Sequence, residues 1–335
     1  MPLHKPRLMN FRSHAQLDKL PIKQIFSGIF RIDNIKNDTN KTGNKNINID
    51  LHDSTGFQIG QCETSVLSWL PTKPYQLVNI QGYIDQILSD GLVQILSIEP
   101  VIGISNMNVF QTLPRELCVD PIWLDRLISI RRSIKSPALG RFVDTLFLED
   151  DIAFAFLQVP ASSKYHHNKI GGLLAHSVEV AEITFNQDYV NEGVRDIAVV
   201  AALLHDVGKV RTLRTNLAST TLGKMVGHDS LTLEVCAFAL RELDKTWPDA
   251  AYTLRHVWTC ASPAAKYGFE ANCTIANKIQ YADKLSVERY YDKQTFKANN
   301  KLTGLAWDGK KYYWRPSDEP LSNERSSLCL QSNTH

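Results

Sequence analysis

Two adjacent side chains that can bind a metal ion, His205 and Asp206, follow an apolar run in the middle of the sequence. They stand in Ala202-Leu-Leu-His-Asp-Val-Gly-Lys209, where Gly208 is expected to end the preceding helix in a left-handed conformation. A pair at a helix end can converge on one ion because the last turn relaxes from ideal geometry. Most isolated pairs of this kind only cap a helix, so the pair needs further ligands to indicate a metal site.

Two further polar residues stand in helical, largely apolar surroundings. His176 lies in Gly171-Gly-Leu-Leu-Ala-His-Ser-Val-Glu-Val-Ala181, and Asp283 lies in Tyr281-Ala-Asp-Lys-Leu285. Each could be a core residue with a satisfied hydrogen bond, since an unpaired buried polar group is costly. Together with His205 and Asp206 they offer two imidazoles and two carboxylates from three helices, a set that suits Mn²⁺, Fe²⁺, Mg²⁺ or Zn²⁺. An ion with open coordination positions lowers the pKa of bound water and so generates a nucleophile for phosphoester hydrolysis.

The elements that must position these residues fall into a strand-rich part and a helical part. Strands are predicted at residues 25–32, 47–51, 76–84 and 92–98, with turns at 37–46 and 53–56 and a hairpin at 89–91. Four to five short strands in about ninety residues indicate a small β-barrel, for which the five-stranded OB-fold is the commonest fit. Another small barrel or a sandwich is the alternative.

Helical periodicity begins at Ile122 and continues through residues 172–187, 195–205, 230–246, 250–259 and 274–291. Aromatic residues and glycines after Lys301 predict a β-hairpin, and the polar composition beyond Pro320 predicts disorder. The expected fold class is therefore α+β and multidomain. A barrel is expected at residues 1–102, a linker at 103–121, an all-α domain at 122–300, and a hairpin with a polar tail at 301–335.

The order His…His-Asp…Asp, with Leu-Leu-His-Asp-Val-Gly-Lys around the pair, resembles the HD-domain superfamily of metal-dependent phosphohydrolases over residues 160–290. The resemblance implies that His176, His205, Asp206 and Asp283 bind the first metal ion, that Asp206 is essential for catalysis, and that Lys209 contacts the scissile phosphate. Members with two ions have histidines at the places of His228 and His256, with Asp206 bridging. One or two divalent ions are expected, Mn²⁺ first, with Fe, Mg, Zn, Ni or Co as alternatives.

Each of these additional histidines also has a structural interpretation. His228 could simply open a helix, and His256 could be a surface residue. Asp229 could orient His228 or cap the helix that follows. His166 and His167 are expected to contact substrate or phosphate, the alternative being a structural role in their loop.

Residues 160–181 resemble two groups within the superfamily. One is the bacterial 3′-5′ exoribonucleases of the YhaM type, which join an OB-fold to an HD domain, and the other is the HD segment of conjugative relaxases. Nucleotide phosphohydrolases share only the four ligands. The barrel favours the first group and implies a 3′-5′ exoribonuclease. A nucleotide phosphohydrolase, or a relaxase-like or nucleic-acid-binding accessory protein of a mobile element, is the alternative.

Charge distribution bears on the expected substrate, single-stranded RNA or DNA. The net charge of +2 excludes a basic coat over the whole chain, and residues 1–120 carry 11 basic and 11 acidic side chains. Basic residues instead flank the metal motif and alternate with aromatics after Tyr290, a pattern that suits phosphate contacts and base stacking. Lys209, Arg211 and Arg214 are the expected phosphate-binding residues beside the motif, although a solvated helix face explains any single run.

Cysteine usage and hydropathy set the expected cellular environment. The six cysteines form no Cys-x-x-Cys pair, which argues against a disulfide framework or a cysteine-based zinc module. No apolar run approaches the ~18 residues of a membrane span, and the polar N-terminus does not resemble a signal peptide. A cytoplasmic protein without membrane contact is expected, with a homo-oligomer left open.

Overall fold

The computed structural model describes residues 15–39, 45–69, 71–84, 91–101, 108–163, 165, 167–260 and 269–317. The chain divides into two compact units, the first ending at Ala282 and the second beginning at Asp283. Within the described residues, no helix combines the length and the apolar character needed to cross a membrane.

The first unit begins with a closed five-stranded barrel. Its strands are β1 (Phe26–Thr39), β2 (Lys45–His52), β3 (Phe57–Glu63), β4 (Gln76–Ile84) and β5 (Val93–Pro100). They close in the order β1-β2-β3-β5-β4, with β3 and β5 parallel and the other pairs antiparallel. Apolar side chains that alternate along the strands, such as Phe30, Ile49 and Ile80, fill the interior. The prediction of an OB-fold-like barrel is confirmed.

The loops of the barrel differ in part from expectation. Strand residues occupy both ends of the turn predicted at 37–46, because β1 continues to Thr39 and β2 begins at Lys45. Strand β1 reaches this length through an irregularity between Asp33 and Lys36, where Asn34 adopts a left-handed conformation with φ of 48°. The predicted turn at 53–56 is present, and the Asp53 carboxylate accepts hydrogen bonds from the backbone N–H of Thr55 and Gly56. The predicted hairpin at 89–91 lies largely outside the described residues.

Helices follow from Ile122 onward, as predicted. They are α1 (Ile122–Ser133), α2 (Pro137–Leu148), α3 (Asp150–Gln158), α4 (Gly172–Phe185), α5 (Glu192–Leu204), α6 (Lys209–Thr212), α7 (His228–Val235), α8 (Ala237–Thr246), α9 (Pro248–Thr259) and α10 (Thr274–Ala298). Short 3₁₀ turns lie at Leu17–Lys19, Val109–Thr112, Arg115–Leu117 and Leu222–Lys224. Local sequence explains several helix starts: Asn191, for example, caps α5 by accepting a hydrogen bond from the Val194 N–H.

Helix α5 lies at the centre of the helical core. Every residue from Asp196 to Leu204 is buried, which leaves this helix without a solvent-facing side over that stretch. Trp258 of α9 donates its indole N–H to the Ala201 carbonyl and so fixes α9 against α5. The single helix predicted at 230–246 is two helices, α7 and α8, which break at Cys236.

Residues 108–121, which precede α1, pack into the helical core. Val109, Phe110 and Leu113 are completely buried there. Arg31 of β1, also completely buried, donates to the Thr112 carbonyl and to the Asp150 carboxylate at the start of α3. The barrel and the helices that follow it therefore share buried contacts within the first unit, and the domain boundaries of the sequence analysis stay a prediction.

The second unit contains the rest of α10 and a two-stranded hairpin. Strands β6 (Gly304–Trp307) and β7 (Tyr312–Arg315) pair antiparallel, with Trp307 opposite Tyr312 and Leu305 opposite Trp314. The hairpin predicted from the aromatic residues is confirmed. The tail beyond Pro320, predicted to be disordered, lies outside the described residues. Together these elements confirm the expected α+β fold class.

Candidate metal centre

The carboxylate of Asp206 lies among three imidazole rings in the first unit. Its Oδ2 atom is 3.5 Å from His176 Nε2 and 3.4 Å from His205 Nε2, and its Oδ1 atom is 3.1 Å from His228 Nε2. The rings of His176 and His205 are 5.1 Å apart between centroids, and each ring offers a ligand nitrogen within 4.8 Å of the other's. Helix α4, the end of α5 and the start of α7 thus bring their polar side chains to one carboxylate. We call His176, His205, Asp206, Lys209 and His228 the Asp206 cluster.

The burial of these side chains follows from the helices that carry them. His176 is 1% exposed because α4 is apolar on both sides of it, and Asp206 is 5% exposed. The pair His205-Asp206 occupies a turn between α5 and α6, where the fully buried Val207 anchors the chain. His228 is the first residue of α7 and is more open, with about a third of its side chain exposed. The cluster is closed on the His176 side and more accessible on the His228 side.

A hydrogen bond to the backbone orients the His205 ring. Its Nδ1 atom lies 2.7 Å from the backbone carbonyl of Ala202. A carbonyl oxygen can only accept, so Nδ1 carries a proton toward it, and Nε2 is the ring nitrogen that faces Asp206. Metal-binding histidines are commonly oriented in this way by a backbone carbonyl on the other ring nitrogen. The hydrogen bond to Ala202 therefore fixes the orientation of the ring and turns Nε2 toward Asp206.

The negative charge of Asp206 is stabilised by Lys209. Its Nζ atom is 2.5 Å from Asp206 Oδ2, and only 13% of the lysine side chain is exposed. Burial by itself would raise the pKa of Asp206, but the charge of Lys209 and the interactions with His205 and His228 outweigh burial. The pKa of Asp206 consequently lies well below its usual range. Asp206 is ionised at neutral pH and presents a negative charge to its neighbours.

Gly208 allows α7 to approach the turn closely. Its φ of −58° is right-handed, so the expected left-handed helix end is wrong. The glycine is required for space instead: a Cβ at this position would lie 2.0 Å from the His228 carbonyl oxygen. The Gly208 N–H donates to the Thr232 hydroxyl, which also lies within hydrogen-bond distance of the His205 and His228 carbonyls. Thr232 therefore ties α7 to the turn that carries Asp206.

His167 lies beside the Asp206 cluster. Its ring centroid is 5.5 Å from that of His176, and its Nε2 is 3.6 Å from the Glu179 carboxylate. The backbone of His167 is left-handed, with φ of 49°, a conformation uncommon for residues other than glycine. The Ala161 N–H donates to its carbonyl, and a Cβ at Gly172 would lie 1.9 Å from that carbonyl oxygen. The loop before α4 thus holds a buried histidine in an unusual conformation against the cluster.

Thr232 and Glu179 were missed by the sequence analysis. Glu179 could have been found, because it stands three residues after His176 on the same helix and therefore on a similar face. No comparable signal marks Thr232, since its partners are brought to it only by the packing of α7.

The remaining candidate residues occupy different surroundings. His256 Nε2 accepts a hydrogen bond from the Asn272 N–H at 2.9 Å. Arg211 pairs with Asp151 at 2.7 Å, and the Arg214 side chain is exposed.

Asp283 is the first residue of the second unit and lies in α10. His166 lies outside the described residues. The structure therefore gathers His176, His205, Asp206, Lys209 and His228 around one point, with His167 alongside.

Asp229 and two arginines that precede the cluster in the sequence, Arg126 and Arg131, have local partners. The Oδ1 atom of Asp229 is 3.2 Å from His228 Nε2, the same nitrogen that faces Asp206, and Gly227 occupies the capping position of α7. Arg126 forms an ion pair with Glu182, and Arg131 pairs with Asp144 at 2.6 Å. Each of these two arginines is paired with a carboxylate on another helix. They are therefore less available to bind phosphate.

Comparison with protein families identifies the region that contains the cluster. A family model described as "HD domain" matches residues 173–287. This range contains His176, His205, Asp206, His228, His256 and Asp283. The resemblance stated from the motif is confirmed for this part of the chain.

Several curated relatives carry one name, "3′-5′ exoribonuclease YhaM". The protein of Oceanobacillus iheyensis is 25% identical over 233 residues, which cover 66% of this chain and 71% of the relative. Those of Shouchella clausii and Bacillus subtilis are 29% and 25% identical over about half of this chain, and in both cases the chain spans about half the length of the relative. No solved structure matches the chain significantly. The predicted similarity to the YhaM type is confirmed.

Proposed function

From the HD domain that this chain carries, a domain of metal-dependent phosphohydrolases, we propose that the protein is a 3′-5′ exoribonuclease acting on single-stranded RNA. The observation that carries the proposal is the convergence of three imidazoles on the Asp206 carboxylate. The relatives named as exoribonucleases support the choice of RNA, and the OB-fold-like barrel supports a single-stranded substrate.

The chemistry of the donor set fits a divalent metal ion. His176 and His205 offer imidazole nitrogens, and Asp206 and Asp283 offer carboxylate oxygens. Such mixed nitrogen and oxygen sets bind Mn²⁺, Fe²⁺ or Zn²⁺, and Mn²⁺ remains our first choice. We propose these four residues as the ligands of the first ion, Asp283 on the ligand order that the family resemblance implies. A divalent ion at this place would supply the nucleophile from water and polarise the scissile phosphate.

The residues around the ligands have distinct proposed roles. The Ala202 carbonyl fixes the His205 tautomer, and Thr232 and Gly208 hold the turn that presents Asp206. Lys209, which already lies beside Asp206, is proposed to bind the scissile phosphate and neutralise the charge that develops on it. His167, Arg211 and Arg214, with His166 on the sequence argument alone, are proposed to contact the neighbouring phosphates.

A second ion, bridged by Asp206 and held by His228 and His256, remains part of the proposal. His228 supports it through its 3.1 Å approach to Asp206 Oδ1. His256 can join only if its Nε2 gives up the Asn272 N–H, or if Nδ1 is the ligand atom. Metal analysis of the purified protein tests the second ion: two ions per chain are expected, falling to one in His228→Gln.

The proposed activity is tested with 5′-labelled RNA and DNA oligonucleotides, resolved by length after incubation with the Mn²⁺-loaded protein. We expect RNA to shorten stepwise from its 3′ end as mononucleotides are released. Asp206→Asn and Asp206→Ala should abolish the reaction because the carboxylate faces every proposed ligand in the cluster. Asp244→Asn is the matched control, since Asp244 pairs with Arg255 on the surface of α8 and α9.

Each alternative has its own outcome in this assay. Hydrolysis that persists in both Asp206 variants contradicts the proposal. Hydrolysis of free deoxynucleotides without hydrolysis of oligonucleotides would identify a nucleotide phosphohydrolase. Nicking of DNA at one defined sequence would favour the relaxase-like alternative, and metal-independent binding without any hydrolysis would favour an accessory protein.

A further inference from the structure

A groove of about 790 Å³ lies in the second unit between α10 and the β6–β7 hairpin. Its volume is within the ~300–1,000 Å³ typical of ligand sites. Among the residues that line it are three aromatic and three basic side chains: Lys284 and Tyr291 from α10, and Trp307, Lys310, Lys311 and Tyr313 from the hairpin. We call this the hairpin groove. All of its lining residues lie between Lys284 and Tyr313, so the groove belongs to the second unit alone.

The aromatic side chains of the groove offer ring faces to a ligand. Trp307 is 45% exposed, a large fraction for an indole that also packs against Tyr312 with ring centroids 4.7 Å apart. Tyr291 and Tyr313 are both partly exposed. Within the two strands of the hairpin, Ala306 is the buried residue. Trp307 thus packs against one ring and keeps nearly half of its own surface accessible, as a stacking contact with a base requires.

The charge of the second unit favours an anionic ligand. Residues 283–317 contain eight lysines and arginines against four aspartates and glutamates. One acid, Asp292, pairs with Arg315 at 2.5 Å, and a second, Asp308, accepts hydrogen bonds from the Lys310 and Lys311 N–H groups. Asp308 thereby fixes the turn that presents both lysines at the groove. Glu288 also lines the groove, whose other charged lining residues are Asp308 and three lysines.

Lys311 combines both properties at one point. Its Nζ lies 4.7 Å from the centroid of the Tyr313 ring, a cation–π contact. A phosphate bound by Lys311 would therefore lie next to an aromatic face. A single-stranded nucleic acid offers the matching groups side by side, because each base is attached to one phosphate through its sugar.

We propose that the hairpin groove binds a segment of single-stranded RNA, with a base stacked on Trp307 and phosphates bound by Lys310 and Lys311. The inference rests on the proposed function for the choice of RNA. An acidic peptide would satisfy the lysines but would not use three aromatic faces. The hairpin groove would be a second binding site, and none of the proposed metal ligands lines it.

Binding is measured with the full chain and a fluorescein-labelled oligouridylate of twelve nucleotides, in EDTA so that no metal-dependent hydrolysis occurs. Trp307→Ala should raise the Kd at least about fivefold, the effect expected for one lost stacking contact. Trp307→Phe, which keeps a ring, should stay near the wild-type Kd while losing part of the tryptophan quenching on binding. Trp314→Ala is the matched control, because Trp314 is 67% exposed on the same hairpin but does not line the groove.

The lysines are tested by the salt dependence of the same binding. Replacing Lys310 and Lys311 by Gln should reduce the slope of log K against log salt by about 0.7 per lost phosphate contact. The control is Lys293→Gln with Lys297→Gln, which removes equal charge from exposed positions of α10 outside the groove. Its slope should be steeper than that of the variant without Lys310 and Lys311. Unchanged far-ultraviolet circular dichroism and melting temperature establish that each variant is folded.

The outcomes separate this inference from the proposed function. If Trp307→Ala and Trp314→Ala have the same Kd, or if an oligoglutamate of equal charge competes as well as RNA, the groove assignment is overturned even where the protein degrades RNA. If Trp307-dependent RNA binding is found in a protein that hydrolyses no RNA, the groove assignment stands and the exoribonuclease proposal fails.

Discussion

Two clusters of buried charge in the first unit differ in the kind of partner that surrounds the carboxylate. In the junction cluster, consisting of Arg31, Lys73 and Asp150, the Asp150 carboxylate faces two permanent cations at 2.6 and 2.5 Å. In the Asp206 cluster, one lysine lies at 2.5 Å and three imidazole nitrogens lie at 3.1–3.5 Å. Imidazoles change their protonation near neutral pH and bind metals, whereas a guanidinium does neither.

Further contacts of Arg31 hold the junction cluster together. Besides Asp150, Arg31 binds the carbonyls of Thr112 and Tyr75, each at 3.0 Å, and its guanidinium packs over the Phe154 ring. Burial lowers the pKa of Arg31, and Asp150 opposes that shift. Charge buried in this way holds the barrel against α3. Burial of charge alone therefore does not identify a functional site; the chemistry of the partners does.

The largest expected effect is on folding, at the junction cluster. Arg31→Met should lower the free energy of unfolding by about 3–5 kcal/mol, because it leaves two carbonyls without their donor and the Asp150 carboxylate with only the exposed Lys73 as its cation. Urea denaturation followed by circular dichroism measures the change. Hydrolysis per folded molecule should be unchanged.

The matched control for Arg31 is Arg255→Met, which breaks a bidentate pair with Asp244 at 34% exposure. Exposed pairs contribute about 0–1 kcal/mol, so this variant should be close to wild type. Equal losses in the two variants would mean that the junction cluster is not the interaction that joins barrel and helices.

The second largest effect is stabilisation of the fold by a bound metal ion. It should depend on the Asp206 cluster and not on the junction cluster. An ion that binds the folded chain at one hundred times its Kd stabilises it by about 2.7 kcal/mol. Adding Mn²⁺ should therefore raise the melting temperature of the wild type and of Arg31→Met, but not that of Asp206→Asn. A metal-induced shift in Asp206→Asn as large as in the wild type would remove the distinction between the clusters.

The two clusters also differ in how far the sequence revealed them. His176, His205 and Asp206 were found because polar residues that bind metals stood in apolar helices. Arg31 was not found from the sequence. The structure shows that it is buried together with its neighbours Phe30 and Ile32. Alternation along β1 places Arg31 on the outer face of the barrel, and a strand pattern does not show that another part of the chain covers that face.

The same distinction between local and tertiary information explains the other results. Strands such as β2 and β4 were predicted because their alternation is a local property. Gly208 was identified as special for the wrong reason, since its requirement comes from α7, which packs against it from twenty residues further along the chain. The irregularity of β1 at Asn34 and the break at Cys236 likewise depend on neighbours that sequence periodicity does not contain.

A smaller effect is expected from Gly208→Ala, which tests how tightly α7 is held to the turn. The added methyl group would meet the His228 carbonyl and the Thr232 N–H, at 2.0 and 2.6 Å. Overpacking of this kind costs about 1–3 kcal/mol, and it should also weaken Mn²⁺ binding because His228 must move away from Asp206. Thermal melting with and without Mn²⁺ measures both changes. Gly227→Ala is the control, since nothing lies within 4 Å of a Cβ there; if it destabilises the chain as much, close packing at Gly208 is not the cause.

The smallest effect should come from Lys73→Met, which removes the second cation of the junction cluster. Lys73 Nζ is as close to Asp150 as Arg31 is, but the lysine side chain is 56% exposed and its charge is screened by solvent. We expect a loss of about 0–1 kcal/mol in the urea denaturation that is used for Arg31→Met, decreasing further at 1 M salt. Distance alone would predict equal losses for the two cations, so a Lys73→Met effect that matches Arg31→Met would show that Coulomb attraction to Asp150 stabilises the junction. The expected inequality would show that the buried hydrogen bonds of the guanidinium do so.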